Sequence, residues 1–227
     1  MECKEESCLG MTTQGMFNET GLTRWFRCMI QLSSLEIINY NGKLPMVLVL
    51  KLIRRNIHSL RKLNLQGGIN FDEETCSTLE KLKIEELTLG GYIKHDKGFS
   101  QLIKSQSNLR YLKFVAMEFA IQEFQNIPES IRVLKFVDCW AVPSSLAGFA
   151  RLNSLRELEV IQKYNHQPSS IWRALFHRSL FIKTLTKLRM KMLTGPVIFD
   201  ERNRPPRVGE ELYVSLSYKD ITNRIIV

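Results

Sequence analysis

Apolar and polar positions along this chain fall into a phrase that returns seven times. It reads Ser34-Leu35-Glu36-Ile37-Ile38, then Ser59-Leu60-Arg61-Lys62-Leu63-Asn64-Leu65, then Ile84-Glu85-Glu86-Leu87-Thr88-Leu89. Later copies are Asn108-Leu109-Arg110-Tyr111-Leu112-Lys113-Phe114, Ser130-Ile131-Arg132-Val133-Leu134-Lys135-Phe136 and Ser154-Leu155-Arg156-Glu157-Leu158-Glu159-Val160. The last is Thr184-Leu185-Thr186-Lys187-Leu188-Arg189-Met190. The first apolar position falls at 35, 60, 84, 109, 131, 155 and 185, in steps of 25, 24, 25, 22, 24 and 30 residues. The last two apolar residues of each copy alternate with polar ones, as a half-buried strand requires.

The segments between copies carry helical spacing. Pro45 can open a helix whose face holds Leu48 and Leu52, because its missing N–H falls where no intrahelical bond is made. Asp72, Glu73 and Glu74 give an acidic start ahead of Leu79 and Leu82. Phe99, Leu102 and Ile103 form a third apolar stripe, and Ile121, Phe124 and Ile127 a fourth. Ser144 or Ser145 caps a short helix with Leu146 and Phe149, and Ser169 or Ser170 one with Trp172, Leu175 and Phe176.

Each unit is then one strand and one helix, and none can bury its apolar face alone. Stacking solves this, and five of the six steps lie inside the roughly 20–29-residue window of leucine-rich repeats, whose pattern is L-x-x-L-x-L. The expected fold is therefore α/β: a leucine-rich-repeat solenoid of about seven repeats. Its curved parallel sheet lines the concave face and its helices the convex one. Residues 1–31 are expected as a helical cap, with a helix over roughly Leu22 to Gln31 carrying Trp25, Phe26 and Met29. Residues 32–193 form the repeats. Residues 194–227 begin as loop around Thr194-Gly195-Pro196 and Arg202-Asn203-Arg204-Pro205-Pro206-Arg207, then alternate like a capping strand over Leu212 to Tyr218.

Composition narrows the function classes. The 227 residues are 44% apolar and 24% charged, ordinary for a globular protein with a core. No run approaches the ~18 apolar residues of a membrane span, so no membrane partner is expected. The start, with Glu2, Glu5 and Glu6, does not read as a secretion signal. Cys3, Cys8, Cys28, Cys76 and Cys139 form no CxxC pair, which fits a reducing compartment, cytosol or nucleus. The net charge of +9 is uneven. Residues 1–100 hold 13 basic and 12 acidic side chains, residues 101–227 hold 19 and 11.

No catalytic constellation emerges, and no enzyme, cofactor or metal is expected. His58, His95, His166 and His177 have no ligand spacing with the cysteines. Gly67-Gly68 and Gly90-Gly91 lack the rest of a phosphate-loop motif and read as turns leaving their strands. Binding is expected instead on the concave face, at positions flanking the second and third apolar residues. These are Asn39, then Lys62, Asn64 and Gln66, then Glu86 and Thr88. The centre presents Tyr111, Lys113 and Val115 beside Val133, Lys135 and Val137, and the far end Glu157, Glu159 and Ile161, then Lys187, Arg189 and Lys191. Tyr111 with Val115, Val133 and Val137 would make an apolar patch rimmed by charge, so Tyr111→Ala or Lys135→Glu should weaken capture of a protein partner without unfolding. The other reading is a nucleic-acid contact through Lys187, Arg189, Lys191, Arg202, Arg204 and Arg207, though no aromatic residue is interleaved for base stacking.

The phrasing also resembles the leucine-rich-repeat half of fungal F-box proteins. Leu102-Ile103-Lys104-Ser105-Gln106-Ser107-Asn108-Leu109-Arg110-Tyr111-Leu112 carries the resemblance, with Ile53 to Leu65 and, more loosely, Phe181 to Met190. It covers about residues 32–192 and implies a substrate receptor of a cullin-RING ubiquitin ligase. In that family an F-box binds the ligase adaptor and the repeats capture substrate. Met1 to Gln31 lacks the leading Leu-Pro and following helices of an F-box, so the adaptor is an expected partner only where an F-box lies upstream.

Overall fold

The computed structural model describes residues 8–12, 26, 28–39, 45–93, 96–119, 125–141, 151–162, 184–192 and 211–215. The protein is α/β. It divides into two compact units, Met1–Leu109 and Arg110–Val227, so a boundary falls inside the expected 32–193 repeat block. Residues 1–31, expected as a helical cap, contribute a strand to a sheet, and residues 194–227, expected to hold a capping strand, contribute another.

The first unit holds strands β1 (Cys8–Thr12), β2 (Ser34–Asn39), β3 (Lys62–Phe71) and β4 (Glu86–Ile93), in that order and all parallel. Between them run helices α1 (Met46–Arg55), α2 (Glu73–Glu80) and α3 (Asp96–Ser105). Pro45 precedes α1 with extended backbone and Leu48 and Leu52 are buried, as the spacing predicts, together with Ile53. Asp72 caps α2 by accepting from the Thr75 N–H at 2.8 Å, satisfying one of the four donors a helix start leaves open. Phe99, Leu102 and Ile103 are buried under α3, and Phe99 meets Phe71 edge-on with ring centroids 5.4 Å apart. Leu35, Ile37, Leu63, Leu65, Leu87 and Leu89 complete this core from the strands.

Three features of the first unit differ from the sequence expectation. Parallel pairing sets Leu35 beside Leu63, not Leu60, so the first copy of the phrase is Leu32-Ser33-Ser34-Leu35-Glu36-Ile37. Leu32 is buried accordingly and Asn39, expected on the open face, is buried too. The glycine pairs do not end their strands: β3 and β4 continue through them, with an irregular register between Leu65 and Ile69 where β3 carries extra residues. β1 was not foreshadowed by any strong alternation.

The second unit holds β5 (Tyr111–Val115), β7 (Val133–Val137), β9 (Glu157–Gln162) and β10 (Lys187–Met192), adjacent and parallel in that order. β11 (Glu211–Ser215) joins β10 antiparallel and overlaps the expected Leu212 to Tyr218 segment. A small second sheet pairs β6 (Glu118–Phe119) with β8 (Trp140–Ala141). Leu112, Phe114, Leu134, Phe136, Leu158 and Val160 all point to one face and are buried there. Phe114 and Phe136 stack at 5.7 Å because the register places them side by side. The expected helices after Ser144 and Ser169 lie outside the described residues, as do Trp25 and the arginines after Arg189.

One backbone device recurs at five strand entrances. The Ser33 carbonyl accepts from Arg61 and Lys62 N–H at 2.8 and 3.0 Å, and the Arg61 carbonyl from Glu85 and Glu86 at 2.8 and 3.1 Å. In the second unit the Arg110 carbonyl takes Arg132 and Val133, the Arg132 carbonyl Arg156 and Glu157, and the Arg156 carbonyl Thr186 and Lys187. The exits repeat as well. Ala116 and Asp138 follow their strands at φ 51° and 53°, and Met117 and Cys139 then turn back into the core. No helix among the described residues is long and apolar enough to cross a membrane.

Candidate functional site

The alternation that buries one face of each strand leaves the other open, and parallel register stacks equivalent positions into rows across it. In the second unit the first row is Tyr111, Val133, Glu157 and Lys187. The second is Lys113, Lys135, Glu159 and Arg189, and the third Val115, Val137, Ile161 and Lys191. Neighbours in a row sit one strand spacing apart, about 4.8 Å, so charge order along a row decides what pairs.

Glu159 is the centre of that order. Lys135 reaches its Oε2 at 2.7 Å from one side and Arg189 its Oε1 at 2.7 Å from the other. Its two cations cover it, leaving its side chain only 10% exposed. Burial pushes the carboxyl up, but hydrogen bonds and charge from Lys135 and Arg189 outweigh this and hold it below its usual value. Glu157 receives Lys187 at 3.3 Å in the first row, where both side chains are well exposed and the pair contributes little. The Lys135 ammonium also lies 5.7 Å from the Tyr111 ring centroid, a cation–π contact that ties the two rows together. A cleft of about 60 Å³ lies among Lys135, Glu157, Leu158, Glu159, Lys187 and Arg189. It has room for water, not for a metabolite, since small-molecule sites run to roughly 300–1,000 Å³.

The open face of the first unit is polar and smaller in feature. Lys62 reaches Glu86 at 3.4 Å, and the Gln66 amide donates to Asn64 Oδ1 at 2.8 Å. Asn64 stands between Glu36 and Thr88 in register.

The predicted site residues therefore fall into two groups, Lys62, Asn64 and Glu86 in one unit and the other nine in the second. Tyr111, Lys113 and Val133 are half-exposed on the open face, as expected. Val137, Thr88 and Glu159 are buried instead, which removes Val137 from the apolar patch. Lys135 is committed to Glu159, so reversing its charge would set two carboxylates together and is a poor probe of binding.

Sequence reasoning looked only beside the second and third apolar positions and so passed over the position after the first. There Arg110, Arg132 and Arg156 stand in consecutive copies, all exposed. The signal was legible in Leu109-Arg110, Ile131-Arg132 and Leu155-Arg156. It also passed over two buried amides, Asn56 and Gln106, which hydrogen-bond to the backbone of the preceding repeat.

Reactive chemistry is sparse among the described residues. No three His, Cys, Asp or Glu side chains gather as a metal site. Burial pushes the Cys76 and Cys139 thiols up to about 12, so neither supplies a thiolate near neutral pH. What the open face of the second unit offers is an aromatic ring, half-buried valines and ordered charge. Compared with known proteins, the chain matches no family model and no curated protein.

Proposed function

We propose that the chain is a leucine-rich-repeat protein that works as a protein-interaction module through the open face of its second unit. The observation that carries this is the row structure of that face. Tyr111 and Val133 lie side by side, half-exposed, beside a charge row fixed by the Glu159 ion pairs. An aromatic anchor with apolar neighbours and a polar rim is the composition of protein interfaces. The L-x-x-L-x-L phrase, the repeated carbonyl device and the left-handed exits support the repeat class.

A more specific reading follows the sequence resemblance: the substrate-capturing part of an F-box-type ubiquitin ligase receptor, in cytosol or nucleus. Adaptor binding belongs to that reading only if an F-box is present upstream. The test is affinity capture from the native cell extract, with and without nuclease, repeated with Tyr111→Ala. Partners that survive nuclease and are lost with Tyr111→Ala support the interaction module. Partners lost on nuclease treatment alone sink it in favour of a nucleic-acid role, and recovery of the cullin adaptor selects the ligase reading.

A further inference from the structure

We infer that Arg110, Arg132 and Arg156 form a docking strip for an acidic segment of a protein partner. This rests on the open face being an interaction surface and names the chemistry of what it takes.

The three arginines occupy the same position of consecutive repeats. Their own backbones hold them in line: the Arg110 carbonyl accepts from the Arg132 N–H at 2.8 Å, and the Arg132 carbonyl from the Arg156 N–H at 2.9 Å. The side chains thus leave the chain about one strand spacing apart, ~4.8 Å. All three are exposed, and among the described residues none has an ion pair or a side-chain hydrogen bond. Four other cations of this unit are engaged: Lys135 and Arg189 hold Glu159, Lys187 holds Glu157, and Arg151 donates to the Gln125 and Ile127 carbonyls. Glu129, in the turn before Arg132, is exposed and pairs with none of them.

Like charges set side by side repel, and the structural task here belongs to the carbonyls, which any residue supplies. The guanidinium groups are therefore free to serve something outside the unit. Guanidinium matches a carboxylate in a bidentate fork, a fit the strip offers in triplicate over about 10 Å. An extended segment crossing the strands presents same-side residues about 7 Å apart, so two acidic residues at alternate positions fall along the strip's ~10 Å and long arginine side chains take up the difference in spacing. Tyr111 and Val133 open β5 and β7 directly after Arg110 and Arg132, so the strip runs along the edge at which the open face begins. A nucleic-acid strand fits less well. Base stacking needs free aromatic faces, and Tyr111, the ring that follows Arg110, already has Lys135 over it.

The test uses the full chain and fluorescein-labelled peptides of alternating Glu and Leu, read by anisotropy, with a Gln–Leu peptide and oligothymidylate alongside. The Glu–Leu peptide should bind, the Gln–Leu peptide should not, and the double variant R132E/R156E should weaken binding about tenfold or more. R132K/R156K keeps the charge and loses the fork, so it should fall between the two. Unchanged thermal melting of both variants shows that the fold is intact. Equal binding of the two peptides, or oligothymidylate outcompeting the Glu–Leu peptide, overturns the proposal. A partner captured from extract that is lost with Tyr111→Ala but kept with R132E/R156E would overturn the acidic strip alone and leave the interaction face standing.

Discussion

The Asn56 side-chain carbonyl accepts a hydrogen bond from the Leu32 backbone N–H at 2.9 Å, 24 residues earlier in the chain. Its amide donates to the carbonyls of Leu52 at 2.9 Å and Met29 at 3.2 Å, so one buried side chain satisfies three backbone groups. Gln106 does the same for the repeat before it, accepting from Ile84 N–H at 3.2 Å and donating to Leu79 at 3.3 Å. These amides stand where helix ends and strand entrances leave backbone groups without partners of their own. Asn56→Ala should cost about 2–3 kcal/mol, since it strands buried donors and acceptors rather than removing both sides of a bond. Urea unfolding gives the answer directly. A midpoint equal to that of the parent chain would show that water replaces the amide at no cost.

Glu159 gives the second unit a sensitivity to acid. Its folded pKa lies below the usual carboxylate value, so its ion pairs contribute full stability above the unfolded value of about 4.3. That contribution fades as pH falls through the folded value, where the carboxylate becomes protonated in the folded state as well. Glu159→Gln should lower stability by about 1–2 kcal/mol near neutral pH, because Lys135 and Arg189 are each about one-third exposed and rehydrate partly. The difference between variant and parent should shrink towards pH 3. Melting temperatures followed from pH 7 to pH 3 would refute the assignment if the two curves ran parallel throughout.

Gly91 meets a steric wall. A Cβ added there would run into the Ile69 carbonyl oxygen and lie 3.3 Å from the Gly67 carbonyl oxygen, in a backbone at φ 154°. Both contacts are backbone, which cannot rotate away as a side chain would. Gly91→Ala should destabilise the first unit by about 2–3 kcal/mol. Gly68→Ala tests the converse: Gly68 is exposed and has no positive φ, so its replacement should cost well under about 1 kcal/mol. Equal losses for the two would show that strand propensity, not the close approach at Ile69, governs this segment.

The strands of the repeated phrase and helices α1 to α3 were legible because their signals are strong and local. Leu112, Phe114, Leu134 and Phe136 alternate cleanly, and Asp72 sets an acidic cap before an apolar stripe. The first repeat was misaligned because Ser34-Leu35 imitates Ser59-Leu60, whereas the full six-residue motif begins at Leu32. β1 escaped because Leu9 and Met11 alone are too few to reveal a period. The glycine pairs misled because glycine marks both a turn and a bulge, and only the partner strand decides between them. In the second unit the register follows the order in which the sequence lists these positions, but the sequence could not foresee that Val137 is buried or that Glu159 disappears beneath its two cations. Burial of this charged residue depends on side chains reaching in from both adjacent strands, far apart in sequence, which no local pattern records.

The antiparallel course of β11 has a consequence for growth. A ladder of parallel strands is self-templating: each free edge offers the same donors and acceptors to the next copy, including a copy on another molecule. β11 occupies that edge of β10 while running the opposite way. The head-to-tail rule that built the preceding strands is thereby broken, and a further repeat, or a second molecule imitating one, finds no β10 edge to extend. A further strand, from this chain or from another molecule, can pair only with the outer edge of β11, where the parallel rule of the preceding strands no longer sets its direction.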